Sequence, residues 1–449
     1  MGTWNGTMTA KNGQNAVMGP KNGTMTAVFR ENMYICDSMT TQVSLDLYAS
    51  AGVGVTALLL GITLTKYIPF LKRFCIPSPV SGGLIVSLIT LLLFRIFGIE
   101  CLFDGGMKDL CMMLFFTSVG FQSDMKALRK GGKPLLVMIG LVTLLIVAQN
   151  LISVGIARGM SQDSLFGMAT GSIPMCGGHG TAGGFSPLLE KMGLKGALSI
   201  TMAAATFGLV AGSLLGGPLG EALVRRKRLA TPSGRKNVIT GVEATASSPE
   251  AREAHPVSTE KTFRDTLIGA CILLVTIALG TGLSRILAMT GITFPTYFGA
   301  LLVGCFTRNL YSLSPKWERE LRVGEMVRIG DISLQLFLGM AMASLRLWEL
   351  ASLALPLMVI LVAQVAFMAL FGAFVAFPLL GKDYDAAVLV SGLCGFGLGA
   401  TPNAMANMSA VCFKYRYAAA PFLIVPIIGA MFVDLINTGV ITLFLNLVC

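Results

Sequence analysis

Cys176-Gly-Gly-His-Gly-Thr-Ala-Gly-Gly-Phe-Ser-Pro187 and Ser391-Gly-Leu-Cys-Gly-Phe-Gly-Leu-Gly-Ala-Thr-Pro402 both lie among long apolar tracts, yet neither suits an uninterrupted helix. Each Gly in a helix interior costs ~1 kcal/mol relative to Ala, so the run Gly177–Thr181 predicts a break. A shift of 215 residues lays the two stretches on each other, with Gly177, Gly180, Gly184 and Pro187 on Gly392, Gly395, Gly399 and Pro402. The same shift pairs Ala148-Gln149 with Ala363-Gln364, and Phe207 with Phe422. Glycine coincidences come easily in a chain with 52 glycines, whereas Gln and Pro matches at one fixed offset do not. The two stretches read as counterparts in two homologous halves.

Outward from them the chain is a series of apolar blocks. Of its 449 residues, 54% are hydrophobic and 13% charged, against roughly 25% charged in soluble domains. Blocks of about 20 residues match the hydrocarbon core. They predict spans near 47–65, 79–98, 107–122, 134–157 and 196–223, then 265–289, 295–311, 328–346, 353–378 and 418–445. A first half, 43–223, and a second, 263–449, thus flank a polar linker at 224–262, which is expected to be cytoplasmic. Residues 1–42 form a polar extension in which Asn-Gly-Thr-Met-Thr-Ala occurs at Asn5–Ala10 and Asn22–Ala27. It has no basic region leading into an apolar one, so it is not a signal peptide, and disorder is expected there. The ten cysteines are scattered without CxxC pairs, which predicts neither a structural disulfide nor a metal centre.

The net charge of +11 does not imply nucleic acid. The cations occupy short loops between spans, as the positive-inside rule expects, and make no contiguous basic face. With Arg225-Arg226-Lys227-Arg228 inside, fifteen Lys and Arg fall on inner faces and seven on outer ones, which puts both termini outside, in the periplasm. Five spans per half is an odd number, so homologous halves must be inverted. The expected fold is an all-α polytopic membrane protein of two inverted five-helix repeats. Each carries a re-entrant hairpin loop, near 163–191 from outside and near 384–411 from inside. Such repeats mark secondary transporters, with ligands bound near the midplane.

In lipid, non-helical backbone persists only where protein or a wet cavity surrounds it. The hairpins are therefore the expected site: freed amides suit carboxylates and carbonyls suit Na⁺. Close helix packing is the plain alternative for small residues, and it suffices for Gly82-Gly83, Gly212 and Gly216-Gly217. At the hairpins, polar side chains favour binding. Ser172, Gly178, His179, Gly180, Thr181, Ser186, Gly397, Thr401 and Asn403 are the expected substrate ligands. Asp434, with Asn437 at i+3, lies inside the last apolar block; an intramembrane carboxylate defaults to function, here as a Na⁺ ligand. Thr401, Gly177 and Gly395 complete the expected cation set. His179 could relay protons, but with no nearby carboxylate in sequence it reads first as a hydrogen-bonding residue. Asp104 and Asp109, at a span boundary, read as solvated.

Several segments resemble the bacterial glutamate:sodium symporters. They are Gly171-Ser-Ile-Pro-Met-Cys-Gly-Gly-His-Gly-Thr181, Ala205-Thr-Phe-Gly-Leu-Val210, Leu347-Trp-Glu-Leu-Ala-Ser-Leu-Ala-Leu-Pro356, Gly395-Phe-Gly-Leu-Gly-Ala-Thr-Pro402, Ala406-Asn-Met408 and Asp434-Leu-Ile-Asn437. The resemblance spans 43–447 and implies Na⁺-driven uptake of L-glutamate across the inner membrane, lipid surroundings and a homodimer. It implies no cofactor beyond Na⁺ as coupling ion. Leu393, Cys176 and Phe185-Ser186 depart from the family pattern and leave the substrate open to another carboxylate, such as citrate or malate, coupled to Na⁺ or H⁺. A hydrolase built on Ser172 or Ser186 with His179 lacks an acidic partner to orient the base, so no enzyme is expected. A passive channel uses a similar lining and stays open as a reading.

Overall fold

The computed structural model describes residues 41–229, 259–289, 294–314 and 321–448. The polar extension up to residue 40 and most of the linker, including His255, lie outside the described residues.

Helices stand close to each expected span. In the first half they are α1 (Leu47–Tyr67), α2 (Ser78–Phe97), α3 (Gly106–Gln122), α4 (Gly132–Gly159) and, after the first glycine-rich stretch, α7 (Ala197–Arg226). That stretch folds as α5 (Ser164–Ala169), a single turn at Ser172–Met175, and α6 (Gly178–Lys191). The second half runs α8 (Thr259–Ala288), α9 (Phe298–Tyr311), α10 (Val323–Ala343) and α11 (Ala354–Leu379). Its glycine-rich stretch forms α12 (Tyr384–Gly397) and α13 (Thr401–Lys414). The last block is α14 (Ala419–Ile427) and α15 (Val433–Val448), joined by a π turn at Ile428–Phe432. Seven of these helices are long and apolar enough to cross a membrane. Leu59, Leu92, Leu144, Leu151, Leu279 and Phe374, each at least half exposed, suit a lipid-facing belt.

The all-α expectation needs one correction. Strands β1 (Thr41–Leu45) and β2 (Ile99–Phe103) pair in parallel, Thr41 opposite Ile99. Gly98 ends α2 in the left-handed region (φ 66°) and turns the chain back along residues 41–45. The Ser50 hydroxyl then accepts from the Asp104 amide at 2.8 Å. Both strands lie just beyond the apolar blocks, where water rather than lipid meets the backbone, so hydropathy could not reveal them.

The helices sort into two groups. A panel comprises α1, α2, α3, α8, α9 and α10; a core comprises α4 to α7 and α11 to α15. Each group draws on corresponding elements of both halves. Within the panel, small residues set the spacing: a Cβ on Gly82 of α2 would stand 2.6 Å from the Gly61 amide nitrogen of α1. Within the core, Gln149 and Gln364, paired by the 215-residue shift, touch one another: Gln364 Nε2 donates to Gln149 O at 2.8 Å and to Ser153 Oγ at 2.6 Å. Gln149 Nε2 donates in turn to Gly397 O at 2.7 Å.

The shift does not carry through the glycine-rich stretches. Asp163 caps α5 and Asp383 caps α12, each accepting the amide two or three residues on (2.9 and 2.8 Å). The breaks that follow fall at Gly177-Gly178 and at Leu398–Ala400, so Gly177 corresponds in position to Gly399, not Gly392. Pro187 lies within α6, whereas Pro402 opens α13. Five of the extra residues lie before the second stretch begins: Asp163 follows Gln149 by 14 positions and Asp383 follows Gln364 by 19.

Replacing Gly82 by Val should lower the thermal midpoint and yield of detergent-solubilised protein. Gly140→Val, whose Cβ would meet nothing within 4 Å, should leave both near wild type. Equal melting of the two variants would show that the α1–α2 approach does not limit stability.

Candidate functional site

Both breaks lie deep in the protein, and buried carboxamides serve their backbone. Asn150 Oδ1 accepts from the Ser172 amide (2.8 Å) and Asn437 Nδ2 donates to the Ser172 carbonyl (3.1 Å). Across the core, Asn403 Nδ2 donates to Leu209 O (2.8 Å) and Asn407 Nδ2 to Gly212 O (2.9 Å). The first pair answers the requirement that backbone freed at membrane depth be bonded inside the protein; the second pins α13 to α7.

The two tips meet. Gly178 adopts φ +61°, and a Cβ there would lie 2.8 Å from the Gly399 carbonyl oxygen. Gly therefore serves twice at this position, for a left-handed turn and for a close approach. The expectation that Gly177–Thr181 is non-helical holds only for its first two residues; His179, Gly180 and Thr181 form the first turn of α6. A helix tolerates glycines there more cheaply than in its interior, and its first amides point out along the axis.

Beside the tips lies a cavity of about 300 Å³. Its core wall is Gly177 to Thr181, Gly399 to Pro402, Gly429 and Asp434; its panel wall includes Phe115, Gln122, Asp331, Leu334 and Leu338. The N-termini of α6 and α13 both reach it, which favours anions. Asp434 opens α15 directly after the π turn and lies beside the Thr181 hydroxyl. Gly429, within that turn, leaves room for Thr401.

Seven of the expected ligands line this cavity: Gly177, Gly178, His179, Gly180, Thr181, Thr401 and Asp434. His179 Nε2 lies 3.0 Å from Thr206 Oγ1, whose own hydrogen goes to Met202 O (2.9 Å). The imidazole therefore donates through Nε2. The other six stand behind the wall. Ser186 is buried away from the cavity, its hydroxyl donating to Ala182 O at 2.5 Å and lying 2.8 Å from Thr201 Oγ1. Ser172 contributes through its backbone, while Asn403 and Asn437 are committed through Nδ2 to the carbonyls named above. Gly395 O accepts from the Ala400 amide (3.1 Å), shaping the second tip, and Gly397 O accepts from Gln149. Asp104 and Asp109 are exposed, clear of the site.

Asp331 is a lining residue that sequence reading passed over. Its signal was the one used for Asp434: a carboxylate among apolar residues, here just inside the span expected at 328–346. Phe115 and Phe396 carried no signal, because an apolar side chain facing a cavity looks in sequence like one facing the core.

A multi-pass membrane protein whose two interrupted helices meet at a cavity, with a carboxylate and two helix N-termini around it, has the build of a transporter rather than of a hydrolase. The family model for the sodium/glutamate symporters matches residues 43–417. The sodium/glutamate symporter of Escherichia coli K12 is 41% identical over 414 residues, covering 90% of this chain and 98% of that protein. Its namesake from Haemophilus influenzae is 38% identical over 395 residues, covering 88% and 96%. The chain belongs to the sodium/glutamate symporter family. Among solved structures, a sodium proton antiporter from Methanocaldococcus jannaschii overlaps with a TM-score of 0.37 at 12% identity, over 90% of this chain and 98% of that one. An overlap that loose says nothing about this chain's ion.

Gly178→Ala should separate the tips. The left-handed turn alone costs a Cβ-bearing residue about 1–2 kcal/mol, and contact with Gly399 adds to it. The variant should reach the membrane yet melt below wild type, whereas Gly155→Ala, with open space around its Cβ, should not. Indistinguishable melting of Gly178→Ala and wild type would count against the tip contact.

Proposed function

We propose that the chain takes up L-glutamate together with Na⁺ across the bacterial inner membrane by alternating access. The cavity carries the reading. Two helix N-termini there offer amides to carboxylates, and Asp434 offers a carboxylate to a cation. Gly178, His179, Gly180, Thr181 and Thr401 hold the substrate; Asp434, Thr401 and Gly177 hold Na⁺ as co-substrate. Ser172, Asn403, Asn437, Gly395 and Gly397 shape the hairpins that hold both, and Ser186 braces α6 against α7. A bound cation offsets the field that Asp434 sets against an anion, so each ligand raises the affinity of the other, which is the coupling free energy of symport.

Inverted repeats are supported by the recurrence of one element series in both halves and by the Gln149–Gln364 contact between shift-related residues. The glycine-rich stretches at 163–191 and 384–411 are read as re-entrant hairpins entering from opposite faces. Of the lining, Pro77, Gln122 and Asp331 stand toward the helix ends whose loops bear Lys72, Arg73 and Arg322, and that end is taken as the cavity mouth. By the positive-inside rule that mouth is cytoplasmic and both termini are periplasmic, so this conformation is open inward. Arg346 bridges Glu100 of β2 (3.2 Å) and Glu349 (3.5 Å), and its amide accepts no role in the cavity but donates to Ser199 Oγ at 3.1 Å on α7. Phe185 of α6 meets Tyr297 edge-on, and Tyr297 stacks on Phe116. These contacts join panel and core toward the opposite end. The core moves as an elevator against the panel, which also holds the dimer interface.

Proteoliposomes should accumulate labelled L-glutamate under an inward Na⁺ gradient and lose that accumulation when K⁺ replaces Na⁺. Asp434→Ala should reach the membrane and retain no Na⁺-dependent uptake. Undiminished uptake by that variant would remove Asp434 from the cation site. Stronger inhibition by unlabelled citrate or malate than by glutamate would change the substrate.

A further inference from the structure

The cavity has an odd balance of charge for a protein that binds an amino dicarboxylate. Among the described residues that line it, the full charges are two carboxylates, Asp434 and Asp331, and no Lys or Arg is present. Glutamate brings two carboxylates and one ammonium group. On the reading proposed above, the amides at the starts of α6 and α13 take the carboxylates, and Asp434 takes Na⁺. The ammonium is then left without an acidic partner on the core wall.

Asp331 stands on the other wall. It lies on α10, on the panel, with Leu334 and Leu338 following at i+3 and i+7 on the face that lines the cavity. It is exposed, and it has no ion pair among the described residues. Arg328, one turn earlier, points instead to Glu325 at 2.9 Å. A hard cation gathers several oxygen ligands, and the aliphatic neighbours of Asp331 on this face offer none. An ammonium group needs less: one carboxylate, with water for its remaining donors. Asp434 differs in being half-buried and beside the Thr181 hydroxyl at the interrupted backbone.

We infer that Asp331 recognises the substrate's α-ammonium group from the panel wall and so distinguishes amino dicarboxylates from plain ones. This rests on the substrate reading above. Asp331 holds the ammonium at the cytoplasmic mouth while the hairpin amides hold the carboxylates, so the substrate bridges panel and core in this conformation. A dicarboxylate without the amine meets only repulsion from Asp331.

The test is equilibrium binding to purified full-length protein at saturating Na⁺, comparing L-glutamate with glutarate, which keeps both carboxylates and lacks the amine. Asp331→Asn should weaken glutamate binding ~5–10-fold, the upper figure corresponding to roughly 1.4 kcal/mol, while glutarate binds as well as before or better. Asp331→Glu, which restores the charge, should recover part of the preference. An equal loss for both ligands would overturn the assignment in favour of a structural role. A shifted Na⁺ dependence with an unchanged glutamate-to-glutarate ratio would overturn it in favour of a cation site. Failure of the wild type to bind glutamate would instead sink the substrate reading, an outcome that separates the two claims.

Discussion

Backbone that leaves the helix at membrane depth has no water to turn to, and the cost of each unmet amide or carbonyl is several kcal/mol. This chain breaks two helices there, at Gly177-Gly178 and at Leu398–Ala400. Buried carboxamides around the breaks bond that backbone or pin the helices beside it. Asn150 and Asn437 bind the two sides of Ser172, Gln149 holds Gly397 O, and Asn403 and Asn407 hold α13 to α7. Carboxamides suit the task because each carries both donors and an acceptor without a charge to desolvate.

The same arrangement creates the site. Tips short of side chains can touch, as Gly178 and Gly399 do, and the first amides of α6 and the start of α13 then open on one cavity. Because each half supplies one tip, the cavity lies where the halves meet. The panel borders it with Phe115, Leu334 and Leu338, so the same boundary that separates the two helix groups also holds the cavity. Motion of one group past the other would expose the cavity to alternate sides without unmaking the carboxamide network, which lies wholly within the core.

Much of this was legible beforehand. The spans follow from a local rule, since each must be apolar for about 20 residues whatever it packs against. Asp434 was legible because a carboxylate in such a block is rare enough to carry meaning by itself. Asp331 obeyed the same rule and was passed over because it sits near the end of its span, where a charge ordinarily meets water. Ser186 and Asn403 misled in the other direction. Polarity near a glycine-rich stretch suggested ligands, yet one hydroxyl braces two helices and one amide holds a carbonyl. The 215-residue shift located Gln149 and Gln364 as partners in the repeat but misplaced the second tip by seven residues, because the second half carries five extra residues between Gln364 and the cap at Asp383.

The sequence by itself determined the membrane class, the rough positions of the apolar helices, the two interrupted segments and the family, because lipid imposes its demands residue by residue and along short windows. Only the tertiary structure decided which polar groups face the cavity and which are consumed by the backbone. A carboxamide looks the same in sequence whether it meets a ligand or a carbonyl, and the difference lies in what a distant segment places within 3 Å of it, as α15 does for Ser172 through Asn437.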